Sequence, residues 1–351
     1  METKIKTGLV GWGISAKIFH APFLKASPHF EVTSVLERHH QQSKEVFPDA
    51  IVVAGFDDLL QQDVDLIVIT TPNDTHYSYT ARALEAGKHV VVEKPFTIHT
   101  REALQLMNLA KQKNKLLAVY HNRRYVSDYL TIKKILDEKL LGDVHTFEAH
   151  YDRYRAEERP SAWREKPIPG SGILYDLGAH IIDQTLTLFG LPKSITAQTK
   201  MQRPHARATD WFEVKLEYSF LEATLKAGML VREPGPRYLI HGTKGSFIKS
   251  GEDPQEAKLR AGDMPSEDLG KEPEELYGLL HTEINGKLSK EKMPSEKGDY
   301  GLFYEDVYQT IVNEKPFPIK PEQAYNVIKI IELAEESNSS RCTIDCEGLL
   351  S

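Results

Sequence analysis

Cysteine is nearly absent: Cys342 and Cys346 are the two thiols of a 351-residue chain. In one extended strand they would point the same way about 13 Å apart, at about 3.3 Å per residue. That exceeds the about 7 Å between Cα atoms that a disulfide bridges. Two thiols are also too few for a structural zinc site, so they read as small apolar fillers in a reducing compartment. Long hydrophobic runs are missing as well. Stretches such as Leu66-Ile67-Val68-Ile69 fall far short of the roughly 20 apolar residues of a membrane helix. The start, Met1-Glu2-Thr3-Lys4-Ile5-Lys6, has no apolar segment or small-residue cleavage site, so no export signal is expected and the chain is expected in the cytoplasm. A basic excess is lacking too. The formal net charge of −7 argues against broad nucleic-acid binding while leaving room for a local anion site.

What remains is ordinary globular usage, 40% hydrophobic and 27% charged, which excludes a disordered or collagen-like chain. At about 100–200 residues per domain, the length predicts two domains, or at most three. Over residues 1–122, short apolar strands alternate with helix patterns. The strands are Ile5–Val10, Glu31–Leu36, Ile51–Val53, the nearly continuous Val64–Thr70, His89–Val92 and Leu116–Tyr120. Asp74 or Thr75 is positioned to cap a helix reaching Ala86, and Gly87 to stop it. Thr100 is positioned to cap another helix through Lys113. Such alternation predicts a doubly wound parallel sheet.

From residue 123 to 351 the texture changes. A helix over Ser127–Lys139 precedes long alternating stretches at 144–151, 211–218 and 223–230, the pattern of an antiparallel sheet with one covered face. A helix over Ile173–Phe189 interrupts them. The stretch 250–298, rich in Glu, Asp, Lys, Gly and Pro, reads as irregular surface. A final helix over Pro321–Glu336 is free to pack back on the first domain.

The chemistry starts at Gly11-Trp12-Gly13-Ile14-Ser15-Ala16, directly after the first strand. The first glycine permits a tight turn and the second lets the backbone approach a pyrophosphate. The small sixth residue lets helix pack on strand, and the helix N-terminus stabilises the anion. A lone glycine pattern is weak; one between a strand and a helix predicts a dinucleotide site for NAD or NADP. Glu37 ends the second strand, where a carboxylate can take the ribose 2′-hydroxyl and so favours NAD. Arg38 follows, where a guanidinium can stack on adenine or hold the 2′-phosphate of NADP. The pair leaves the choice open. Three more polar clusters follow predicted parallel strands: Thr70, Thr71, Pro72, Asn73 and His76; Glu93, Lys94 and Pro95; and Tyr120 to Arg124 with Asn122. That rim is where ligands bind in open α/β sheets. Asp176 and His180 lie four apart, on one face of an α-helix. His39-His40 lacks further ligands at useful spacing, so no metal is assigned. Arg153, Arg155, Arg159 and Arg164 form a basic run relieved by acidic neighbours, read chiefly as a mixed-charge solvated loop.

Taken together, Gly11–Ala16, Thr71-Pro72-Asn73 with His76, Glu93-Lys94-Pro95 and Asp176-Leu177-Gly178-Ala179-His180 resemble the Gfo/Idh/MocA oxidoreductases over nearly the whole chain. Tyr120–Arg124, Trp163-Arg164-Glu165 and Tyr175–Gln184 are similar to the NADP-using scyllo-inositol dehydrogenases of that family, which carry a smaller residue at the place of Glu37. The resemblance implies an N-terminal Rossmann domain and a C-terminal α+β domain with a large, mostly antiparallel open sheet. It implies that Lys94, Asp176 and His180 converge over the redox-active ring as the catalytic residues. It further implies that Gly11, Trp12, Gly13, Ile14, Ser15, Glu37, Arg38, Thr70, Thr71, Pro72, Asn73, His76, Glu93, Lys94 and Asn122 hold the cofactor. Lys94, Asn122, Tyr154, Trp163, Arg164, Asp176 and His180 would then face a sugar or cyclic polyol. A homodimer or homotetramer through the C-terminal sheet is expected, with no nucleic-acid or membrane partner. Two other readings stand beside this one: a non-catalytic, dinucleotide-binding regulator, and a dehydrogenase of a dihydrodiol or an aldose.

Overall fold

The computed structural model describes residues 4–158, 162–284 and 286–350. Among them, six short strands form a parallel sheet: β1 (Ile5–Val10), β2 (Phe30–Leu36), β3 (Ile51–Val53), β4 (Leu66–Ile69), β5 (His89–Val92) and β6 (Leu117–Val119). Their order is β3-β2-β1-β4-β5-β6, with the reversal of direction at β1/β4. Every residue of β4 is buried, as are Val90, Val91 and Val92. Strands covered on both faces gain nothing from a polar alternate residue, so they read as continuous apolar runs.

The helices of this unit follow their sequence signals with small shifts. His76–Glu85 starts after Thr75 and stops before Gly87, whose φ of +73° only glycine adopts cheaply. Thr100–Lys113 buries Ala103, Leu106 and Ala110 on one face. Thr100 is its first helical residue rather than its cap. The N-cap place falls to His99, whose backbone N–H donates to Glu102 Oε2 at 3.3 Å.

Nine strands form the second sheet: β7 (Val144–His150), β8 (Ser194–Lys200), β9 (Trp211–Glu217), β10 (Glu222–Gly228), β11 (Tyr238–Gly242), β12 (Gly245–Lys249), β13 (Gly278–Ile284), β14 (Lys287–Met293) and β15 (Ile344–Asp345). The order is β14-β13-β12-β11-β7-β10-β9-β8-β15, antiparallel except for the parallel β7–β10 pair. Phe147, Phe212, Val214, Leu216, Leu225 and Ile240 point to the covered face. There they meet Ile181 and Ile182, and also Val327, Ile330 and Ile331 of the C-terminal helix Pro321–Ser340.

Several expectations need correcting. The stretch 250–298 is not irregular surface: it holds the helix Gln255–Ala261 and the β13–β14 hairpin. β14 is mostly exposed, so it has no apolar alternation to read. The Asn285-Gly286 pair, with Gly286 at φ +78°, was the hairpin signal that charge composition masked. The helix Ile173–Phe189 opens as a wider π turn over Leu174–Gly178 before the α-helix Ala179–Phe189. Arg153 and Arg155 do not lie in a free loop, because their N–H groups bond Gly228 O at 2.8 Å and Met229 O at 2.7 Å, extending the sheet. Arg159 lies outside the described residues. Both cysteines are free; Cys346 is buried as a filler, but Cys342 is exposed.

The chain divides into two compact units. One comprises residues 1–125, 254–269 and 299–325; the other comprises 126–253, 270–298 and 326–351. The helix Gly301–Asn313 belongs to the parallel-sheet unit, where Tyr308 stacks on His29 with centroids 3.8 Å apart and Tyr304 meets Phe30 edge-on at 5.5 Å.

Candidate active site

In the parallel-sheet unit, the sequence-predicted residues gather at the carboxyl ends of the strands. The chain leaves β1 at Gly11, whose φ is +97° and whose N–H donates to Leu36 O at 3.1 Å. A Cβ there would stand 3.2 Å from Thr70 Oγ1 and 3.3 Å from Thr71 Cγ2, so conformation and space both demand glycine. At Gly13 a Cβ would meet no protein atom within 4 Å, so the chain's own packing does not require that glycine. Close approach of a ligand to the backbone does explain it, and the loop fits a pyrophosphate on this count. Ala16 is fully buried, as the packing of helix on strand requires. The helix opens as a π turn over Ala16–His20, a form often found at functional sites.

Behind the loop stands Glu93, at the end of β5 and 9% exposed. Its carboxylate accepts the Ser15 hydroxyl, lies 3.0 Å from His20 Nε2 and takes the Lys94 N–H at 3.1 Å. Burial alone would raise its pKa. The His20 hydrogen bond and charge, with the Ser15 hydroxyl, outweigh that and hold it at about 2. His20 in turn lies 2.6 Å from Tyr304 Oη. Glu93 is thus a strut that fixes the glycine loop, with the charge of the neighbouring Lys94 among the influences that keep it ionised. Lys94 is half-buried and is joined to Pro95 by a cis peptide bond. His76 is buried, its ring nitrogens 2.8 Å from Pro95 O and 3.0 Å from Thr71 O. Burial pushes its pKa down despite those two carbonyls, which knit the β4 and β5 ends together. Thr70 bonds Val10 O at 2.9 Å, while Asn73 and Asn122 are buried. Ile14 is exposed, and Trp12 meets Phe47 edge-on at 6.0 Å. Glu37 and Arg38 follow β2; Arg38 is exposed and donates to Tyr79 Oη at 3.2 Å.

In the nine-stranded unit, Asp176 lies in the π turn and His180 in the first turn of the α-helix after it. The Arg164 guanidinium, from the short turn Trp163–Glu165, lies 3.0 Å from Asp176 Oδ1 and 4.6 Å from the centroid of the Trp163 ring. The structure therefore brings Trp163, Arg164 and Asp176 together. His180 is 7% exposed, with its ring 6.3 Å from that of Tyr151. Tyr154 pairs with Leu230 in an isolated bridge, under the Arg232 guanidinium at 3.8 Å. Asp183 and Gln184 are buried, and Gln184 accepts the Tyr238 hydroxyl at 2.9 Å.

Sequence reasoning missed the supports of these side chains. His20, itself backed by Tyr304, holds Glu93; Tyr300 and Glu256 hold Arg123. Arg203, nearly buried, anchors the 163–165 turn through Glu165 at 3.3 Å while pairing with Asp210 at 3.0 Å. No spacing rule links residues so far apart in the chain. Among the described residues, no group of three or more His, Cys, Asp and Glu is arranged to hold a metal ion, and no helix is long and apolar enough to cross a membrane.

Comparison with known proteins agrees with this architecture. Residues 5–121 match the oxidoreductase family's NAD-binding Rossmann fold, and residues 133–345 match its C-terminal alpha/beta domain. The chain is 42% identical to the scyllo-inositol 2-dehydrogenase (NADP(+)) IolW of Bacillus subtilis, over 98% of this chain and 96% of that one. It is 41% identical to the uncharacterized oxidoreductase YdgJ of Escherichia coli, over 98% of this chain and 99% of the relative. The solved structure of the oxidoreductase yvaA from Bacillus subtilis superposes with a TM-score of 0.93 at 41% identity, over 98% of this chain and 100% of that one. A glycine cradle at the carboxyl rim of a parallel sheet, a second unit matching the family's own partner domain and identity above 40% across the chain lead to one conclusion: the chain belongs to the Gfo/Idh/MocA family and is an NAD(P)-dependent oxidoreductase.

Proposed function

We propose that the chain is a dehydrogenase acting on a secondary hydroxyl of a sugar or cyclic polyol, with an inositol-like ring as its substrate class. The observation that carries this reading is the Asp176–His180 helix start. A partly exposed carboxylate paired with Arg164 at 3.0 Å stands four residues before a histidine on the same helical run. A polyol presents adjacent hydroxyl groups; a carboxylate beside a guanidinium and an indole offers both an acceptor and a donor for them.

In the direction of alcohol oxidation, His180 takes the hydroxyl proton on a ring nitrogen. Neutral imidazole is the usual base near neutral pH. The Lys94 ammonium stabilises the negative charge that develops on the reacting oxygen. Asp176 and Asn122 hold neighbouring hydroxyls, and Trp163 and Tyr154 supply apolar and aromatic surface for the ring. A nicotinamide bound there would supply the redox chemistry, as the hydride acceptor. Gly11, Gly13, Ser15 and the β4 and β5 termini would hold that cofactor, and Glu93 keeps Ser15 in place.

The test follows the near-ultraviolet absorbance of reduced nicotinamide while NAD or NADP is mixed with a panel of inositols and aldoses. Turnover on a polyol, lost in His180→Ala and Lys94→Ala, is expected. Dinucleotide binding without turnover across a broad panel would sink the dehydrogenase reading in favour of a dinucleotide-binding regulator.

A further inference from the structure

Glu37 sits beside the glycine loop: β1 and β2 pair Val10 with Leu36, and Gly11 donates to Leu36 O. Both of its carboxylate oxygens are engaged, Oε1 by the Gln42 N–H and Oε2 by the Ser43 N–H, each at 2.9 Å. The short turn that donates them, Gln42–Glu45, is itself tied to the loop, through Lys17 to Gln42 Oε1 at 2.8 Å and through Phe47 against Trp12. Partial burial would raise the carboxyl's pKa. The amides of Ser43 and Gln42 and the charge of Lys17 more than offset that and hold it below the ordinary glutamate value, so it is ionised at neutral pH. Moving it aside would leave two amides without their acceptor. Arg38 is held elsewhere. Its guanidinium reaches Tyr79, whose ring stacks on Phe56 with centroids 4.4 Å apart and 21° between planes.

We propose that Glu37 makes this chain select the dinucleotide with a free 2′-hydroxyl, NAD, over the one with a 2′-phosphate, NADP, and that Arg38 serves the adenine face. A carboxylate oxygen has lone pairs left after one N–H bond, so Glu37 can still accept from a ribose hydroxyl. A 2′-phosphate at the same point would meet a fixed negative charge that neither protonates nor swings away. A nearby guanidinium does not cancel that charge when it is drawn toward Tyr79. The inference rests on the chain's being an NAD(P)-dependent oxidoreductase, is independent of the substrate, and sets the chain apart from the NADP(+)-dependent relative.

The experiment is equilibrium titration of the full-length protein with NAD and with NADP, for the unaltered chain and for Glu37→Ser, Glu37→Gln and Arg38→Ala. The unaltered chain is expected to bind NAD at least tenfold more tightly. Glu37→Ser should shrink the ratio tenfold or more, chiefly by tightening NADP. Glu37→Gln, which keeps the shape and one acceptor oxygen, should move it several-fold the same way even if the serine variant folds poorly. Arg38→Ala should weaken both ligands by similar factors. A preference for NADP in the unaltered chain, or an unchanged ratio in Glu37→Gln, overturns the proposal. Failure of both nucleotides to bind would overturn the dinucleotide assignment itself, a distinguishable result.

Discussion

Two carboxylates, one in each unit, are handled in opposite ways. Glu93 is buried, takes three donors and keeps its negative charge down to about pH 2. The Asp176 side chain is 23% exposed and pairs with a guanidinium that is itself 45% exposed. The first arrangement cannot give up a partner without orphaning buried groups; the second can exchange its partner for water or a hydroxyl at little cost. A carboxylate that fixes a loop is enclosed, and the one proposed to meet a substrate is left partly open. The two side chains should therefore fail differently when altered: one in stability, the other in catalysis.

The largest effect expected is on chemistry. His180→Ala should lower turnover about 100-fold or more, the range for removal of a general base, with dinucleotide affinity unchanged; stopped-flow absorbance and titration read the two separately. Normal turnover would remove the nine-stranded unit from the reaction. Next, Glu93→Ala should destabilise the fold by about 3 kcal/mol, since it strips a buried partner from His20 and Ser15. Urea denaturation measures this, and a loss under about 1 kcal/mol would put Glu93 in the same class as Asp176.

The pH dependence sharpens the same contrast. Glu93 has its folded pKa depressed from 4.5 to about 2. Its contribution is therefore complete above about pH 5 and is lost as pH falls from there through about 2. Unfolding free energies between neutral and acid pH should fall more steeply for the unaltered chain than for Glu93→Gln; parallel curves would refute the assignment. The smallest effect belongs to Arg164→Met. An exposed pair contributes roughly 0–1 kcal/mol, so thermal stability should barely move while KM for the polyol rises.

Much of this contrast was hidden in the sequence, for a physical reason. The parallel strands were legible because burial on both faces writes Leu66–Ile69 and Val90–Val92 as unbroken apolar runs. β9 and β10 were legible because one covered face writes alternation. β14 was not, because a largely exposed edge strand is free to be Lys-Leu-Ser-Lys-Glu-Lys-Met. The positions of Gly11, Glu93, Asp176 and His180 could be singled out from motif and spacing. The widening of both helix starts to π turns could not, since a π turn has no residue signature of its own. Nor could the grip of Ser15 and of the Tyr304-backed His20 on Glu93, which arises only when segments some 70 to 280 positions apart meet.

The parallel-sheet unit needs residues from three separate stretches, the last ending at 325. Tyr304 and Tyr308, which cover His20, His29 and Phe30, leave the ribosome roughly 280 residues after them. The nascent amino-terminal portion must therefore wait, incompletely clad, until those later stretches emerge. A single cut anywhere in the middle of the gene yields no self-sufficient half, so truncation at residue 125 should give an aggregation-prone fragment rather than a small nucleotide-binding module.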